Sequence, residues 1–147
     1  MKILVDADAC PVKEIVVQIA KKYSIPVLMF ADTSHILKND YALVFTVDKQ
    51  SDSVDIALAN KIEKGDIVVT QDYGVAALSL GKGAYCINQN GLVYTNENID
   101  MLLFRRHIGK KLRRSGKKAG GEKKRNGEND IKFAFEFENL IKSANIC

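Results

Sequence analysis

Residues 3–13 read ILVDADACPVK: three apolar residues, two aspartates separated by one alanine, and then a proline. The run KILVDA (2–7) has the length of a buried strand, and Pro11 suits the first turn of a helix, where a backbone N–H is not needed. Ile15, Val16, Ile19 and Ala20 follow at helical spacing to about Tyr23. A strand passing directly into a helix predicts a βα unit, with Asp6 and Asp8 at the handover.

The same alternation continues along the chain. PVLMFA (26–31) is a second strand and YALVFTV (41–47) a third, joined by a polar connection that contains Asp32, Thr33, Ser34 and His35. From Ser51 the period changes, because Val54, Ala57, Leu58 and Ile62 recur at helical spacing until Gly65 stops the helix. DIVVT (66–70) is a fourth strand, 75–80 a short helix closed by Gly81, and AYCI (84–87) a fifth strand. Asn90-Gly91 predicts a tight turn into Leu92-Val93-Tyr94. Asn96 or Asn98 then caps a helix through Ile99, Leu102, Leu103 and Ile108 to about Leu112. Continuous apolar strands alternating with helices predict an α/β three-layer domain with a central, mostly parallel sheet covered on both faces. A basic, flexible loop is expected at about 115–130 and a C-terminal helix at about 131–143, docked through Phe133, Phe135, Phe137, Leu140 and Ile141.

At 147 residues and 46% hydrophobic composition, the chain supports one core, and a single domain over 1–147 is expected. No apolar run approaches the ~20 residues that span a bilayer, so a cytoplasmic protein without a membrane partner is expected. Cys10, Cys86 and Cys147 lack the spacing of a zinc site or a disulfide framework and read as reduced thiols. Cys10 adjoins the aspartates, but no histidine lies near it in sequence, and it reads as a small, half-buried thiol rather than a nucleophile.

In a parallel sheet the loops after the strands open on one edge, where ligands bind in open α/β folds. Asp6 and Asp8 belong to that edge, Asp52 and Asp55 to the first turn of the helix after the third strand, and Asp72 to the connection after the fourth. Each alone has a plain structural reading: a helix cap, an acid near a helix dipole, the start of a turn. Together, clustered like charges destabilise a fold unless a cation neutralises them. Oxygen ligands without nearby His or Cys point to Mg²⁺ or Mn²⁺, and such an ion suits phosphoryl transfer to water without a histidine base.

At DADACPVK, SDSVDIALA and DIVVTQDYGVA the sequence resembles the PIN-like nuclease superfamily and, within it, the bacterial YaiI/YqxD family. The resemblance runs from Met1 to about Leu140 and takes in NGLVYTNENID, Arg105-Arg106, the Gly-rich basic loop and the aromatic C-terminal helix. It departs at Gly120-Gly121-Glu122, where that branch is expected to carry a Gly-Pro. The resemblance implies a metal-dependent ribonuclease with its acidic cluster at the C-terminal edge of the sheet. Asp6, Asp8, Asp52, Asp55 and Asp72 correspond to the catalytic acids, with Asp6, Asp8, Asp55 and Asp72 as metal ligands and Thr70 hydrogen-bonding the cluster or its water.

Charge is divided unevenly. Residues 105–125 hold 11 of the 22 Lys and Arg against one acid, Glu122, while the remainder holds 11 bases and 17 acids. A helix that serves solubility alone mixes signs for i, i+4 pairing, so this run reads as a phosphate track. Arg105, Arg106, Lys110, Lys111, Arg113, Arg114, Lys117 and Lys118 are the expected contacts to RNA, and a basic surface would offset the repulsion between an acidic site and a polyanion. Tyr73 is placed either under a base or in the rim of the core. Two other classes remain open: a non-catalytic RNA- or ribosome-binding module with structural acids, and a haloacid-dehalogenase-like phosphatase with Asp6 as nucleophile and Asp8 as acid. Pairing with a second copy of the chain is left open as well.

Overall fold

A computed structural model describes residues 1–8, 10–32, 39–48, 53–116 and 124–146. The opening apolar run forms β1 (Ile3–Asp6), followed by α1 (Lys13–Lys22), β2 (Val27–Asp32), β3 (Leu43–Val47) and α2 (Ser53–Lys61). The chain continues through β4 (Ile67–Val69), α3 (Tyr73–Gly81), β5 (Tyr85–Ile87), β6 (Val93–Tyr94), α4 (Asn96–Arg114) and α5 (Gly127–Ile146). The strands form one sheet in the order β3-β2-β1-β4-β5-β6, parallel except for β6, which runs antiparallel to β5.

Strand residues alternate between two cores, as the pleat requires. Ile3, Val5, Val27, Met29, Ile67 and Val69 face α1 and α5, where Phe133 and Phe137 are fully buried and stacked at 5.2 Å. Leu4, Phe30, Val68 and Cys86 face the other side, where α2, α3 and the first half of α4 supply Leu58, Val75, Ala76 and Ile99. Burial on both faces explains the continuous apolar runs of the sequence.

Helix ends differ from expectation where a side chain outside the apolar pattern sets the boundary. The cap of α4 is Thr95 rather than Asn96 or Asn98. Its hydroxyl accepts the Asn98 N–H at 3.1 Å while Asn98 Oδ1 accepts the Thr95 N–H at 2.9 Å, a reciprocal capping box. This helix also runs past Leu112 to Arg114. The C-terminal helix begins at Gly127, inside the stretch expected to be loop, and reaches Ile146. At its start Asn126 Oδ1 accepts the Glu128 N–H at 2.9 Å and Asn129 Oδ1 accepts the Asn126 N–H at 2.8 Å. Phe135, expected to dock with its neighbours, is 63% exposed, because helical spacing turns it away from the face of Phe133 and Phe137. The expected Asn90-Gly91 turn is present, with Gly91 at φ 87° and only 2.9 Å between an added Cβ and the Lys132 carbonyl oxygen of α5. Among the described residues no helix is long and apolar enough to cross a membrane.

Candidate functional site

Strand order decides which acids meet. From β1 the chain builds outward to β2 and β3, then returns through α2 to place β4 on the other side of β1. The C-terminal ends of β1 and β4 are therefore adjacent at the topological switch point, where open α/β sheets bind ligands. Asp6 ends β1 on the side that Leu4 shares with α2 and α3, and Thr70 follows β4 directly.

These two connections are hydrogen-bonded together. Thr70 Oγ1 donates to Asp6 Oδ2 at 3.2 Å and accepts the Asp72 N–H at 3.1 Å. The Thr70 backbone is fixed in turn, because its N–H donates to Ile87 O at 3.1 Å and the Tyr94 hydroxyl donates to its carbonyl at 3.3 Å. Asp72 Oδ1 accepts the N–H groups of Gly74 at 2.7 Å and Val75 at 3.1 Å, capping α3. The plain structural reading of Asp72 is thus correct for one of its oxygens. Gly74 leaves room for that carboxylate, since a Cβ there would stand 3.0 Å from Oδ1.

Asp55 lies in the first turn of α2. Asp8 takes a place beyond the end of β1, where its carboxylate accepts the Asp32 N–H at 3.3 Å. Burial, and then the neighbouring charges of Asp55, Asp8 and Asp72, push the Asp6 carboxyl up to about 6 against the pull of the Thr70 hydroxyl. An acid held this high by burial and by neighbouring carboxylates marks a candidate functional group. Among the described residues no three His, Cys, Asp or Glu side chains stand together as a ready-made ion site. Asp52 lies outside the described residues, as do Lys117 and Lys118.

One acid at this edge escaped the sequence reading. Asp32 ends β2 rather than belonging to the polar connection, and it follows the alternation of Leu28 and Phe30 on the Asp6 side of the sheet. The signal that could have found it is the one that found Asp6, an aspartate closing an apolar strand. Cys10 is 6% exposed, and burial pushes its thiol up, consistent with a packed rather than nucleophilic group. Tyr73 is half-buried, packs beside Tyr94 with ring centroids 6.1 Å apart, and belongs to the rim of the core.

The basic helix reaches the acidic edge. Because β6 runs against its neighbours, α4 begins at the opposite edge of the sheet and climbs along α3 toward Asp72. Arg106 Nη1 comes within 3.9 Å of Asp72 Oδ1. Beyond it Lys110, Lys111, Arg113 and Arg114 are exposed, as is Arg105 just before it. The helix ends in Ser115-Gly116, with Gly116 at φ 77°.

Fold and edge together describe an α/β protein in which Asp6 and Asp72 are linked through Thr70 at the switch point, with a basic helix beside them. The family model described as "Uncharacterized BCR, YaiI/YqxD family" matches residues 4–143. The chain belongs to this family. It is 62% identical over 133 residues to a UPF0178 protein of Ruminiclostridium cellulolyticum, covering 90% of this chain and 87% of the relative. It is also 51% identical over 146 residues to a UPF0178 protein of Lachnoclostridium phytofermentans, covering 97% of this chain and 98% of the relative. No solved structure matches the chain.

Proposed function

We propose that the chain is a Mg²⁺- or Mn²⁺-dependent ribonuclease of PIN-like type, with its active edge at the β1/β4 switch point and the RNA backbone carried along α4. The observation that carries this reading is the 3.9 Å approach of Arg106 to Asp72. It brings a polyanion-attracting helix to an acidic edge that by itself would repel RNA.

The donor set is oxygen only, which fits a hard divalent ion. Asp6, Asp8, Asp55 and Asp72 would hold it, Asp72 through the oxygen that does not cap α3, and Asp52 joins them in the resemblance to PIN-like nucleases. When bound, such an ion lowers the pKa of a water and stabilises negative charge on the phosphodiester. The chain's own contribution is orientation: Thr70 fixes Asp6 through its hydroxyl, and Asp72 anchors the start of α3. Arg106 offsets the acidic potential and offers a bidentate donor to a phosphate. Lys110, Lys111, Arg113 and Arg114 track the backbone beyond the site.

The reading is tested by incubating the purified chain with end-labelled single-stranded and structured RNA in Mn²⁺, Mg²⁺ or EDTA, beside Asp6→Asn and Asp72→Asn. Cleavage that needs the ion and is lost in both variants is expected. A second reading, a non-catalytic RNA-binding module, draws on the cap geometry of Asp72, which gives that acid a structural role. Salt-sensitive RNA binding that survives both substitutions, with no cleavage under any ion, would establish that reading instead.

A further inference from the structure

Helix α4 has two apolar faces. Ile99, Leu102 and Leu103 pack toward the α3 side of the core. Away from them, Met101, Phe104 and Ile108 are exposed by 56, 62 and 38%, and half-buried Leu112 continues the row. Steps of three, four and four residues are the spacing of a helix-pairing seam. Isolated exposed apolar residues are ordinary on a protein surface, whereas a row sustained over three turns asks for a covering partner.

Charge along the helix selects the partner. Glu97 and Asp100 stand at its start and Lys111, Arg113 and Arg114 at its end, with no acid from Met101 to Arg114. A parallel copy would set base against base. An anionic bilayer would meet the acidic first turns together with the basic end. An antiparallel copy satisfies both ends at once. In the register that packs Phe104 on Ile108 of the second copy and Met101 on its Leu112, Asp100 falls beside Lys111 of the second copy and Glu97 beside its Arg114. Twofold symmetry repeats each pair, and the two helix dipoles oppose.

We propose that the exposed α4 stripe docks antiparallel on α4 of a second copy of this chain, across a twofold axis at the level of Arg106. Arg106, exposed but within 3.9 Å of Asp72, lies on the helix face away from the stripe, so the helix pair separates the two acidic edges and sets them on its opposite flanks. A four-residue seam is small for a protein interface, so the dimer is reversible, with a dissociation constant on the order of micromolar.

Sedimentation equilibrium of the full chain across about 1–100 μM tests this against that expected affinity. The wild type is expected to shift from monomer to dimer, and Phe104→Glu, at a solvent-facing position, to remain monomeric with an unchanged circular dichroism spectrum. Asp100→Lys and Lys111→Glu are each expected to weaken the dimer by about tenfold, and the double reversal to restore it. A wild type that stays monomeric throughout, a dimer indifferent to Phe104→Glu, or single reversals that the double reversal does not rescue would each overturn the proposal. So would a monomer that sediments with phosphatidylglycerol vesicles through Phe104, which would assign the stripe to lipid.

Discussion

Asp6 and Asp72 show how a single carboxylate can serve the fold and strain it. Raising the Asp6 pKa from 3.8 to about 6 means that ionising it in the folded chain costs on the order of 2–3 kcal/mol. The unfolded chain ionises first, so the folded state loses this stability as pH rises from about 4 to about 6, and the deficit persists above that range. Asp6→Asn keeps an acceptor for the Thr70 hydroxyl and removes the charge. Its melting temperature is expected to exceed that of the wild type by several degrees at pH 7 and to lack the wild-type decline between pH 4 and 6. Parallel thermal melts across that range check this, and equal slopes would contradict it. Asp72 separates in the opposite way. Asp72→Ala removes the α3 cap and is expected to cost about 1 kcal/mol in urea denaturation, while Asp72→Asn preserves the cap and most of the stability.

Sequence spacing located Asp6 and Asp72 at strand ends, and the resemblance pointed to Thr70 as a hydrogen-bond partner of the cluster, but neither showed that its hydroxyl joins these two acids. That link depends on β1 and β4 being neighbours, and adjacency of strands far apart in sequence is a property of topology. Asp66 makes the complementary point, as an acid at the start of a strand with a purely structural role. It is 3% exposed and accepts the Lys2 and Glu63 N–H groups at 3.1 and 2.8 Å together with the Lys2 ammonium at 2.6 Å.

Among the elements, α4 and α5 departed most from the apolar pattern. The first half of α4 packs against α3 while the second half extends with little of its surface buried. A helix without packing depends on its cap and its own hydrogen bonds. Hydrogen exchange is expected to show protection over 99–104 and fast exchange over 108–114. Thr95→Ala is expected to speed exchange along the whole helix and to cost about 1 kcal/mol. Uniform protection from end to end in dilute monomer would contradict this division. At Gly91, a positive φ and the Lys132 carbonyl together exclude a side chain. Gly91→Ala is expected to loosen α5 from the β5–β6 turn and to destabilise the chain by more than about 1 kcal/mol in urea denaturation. The Asn-Gly pair made this turn legible in sequence. The closeness of α5 to it was not, because that contact joins segments some 40 residues apart.

For the whole molecule, alternation of apolar runs was enough to give the three layers, since both faces of a parallel sheet must be covered. It did not fix the strand order, and hence not which loops share the switch point. The C-terminal helix closes one face through the stacked Phe133 and Phe137. Phe137→Ala is expected to cost about 3–5 kcal/mol in urea denaturation. The separation of charge, acids at the sheet edge and bases along α4, was visible as a count along the chain. Their meeting at Arg106 and Asp72 required the antiparallel turn of β6, which carries α4 back toward the acidic edge.

The most direct measurement on the acidic edge is a titration of Mn²⁺ into the metal-free chain at pH 7.5, following the free ion by its electron paramagnetic resonance signal, for wild type and Asp6→Asn. A cation site at the switch point requires saturable depletion of free Mn²⁺ by the wild type and an affinity at least tenfold weaker in the variant. Coincident titration curves, or no depletion by either chain, would show that the carboxylates at this edge do not hold an ion.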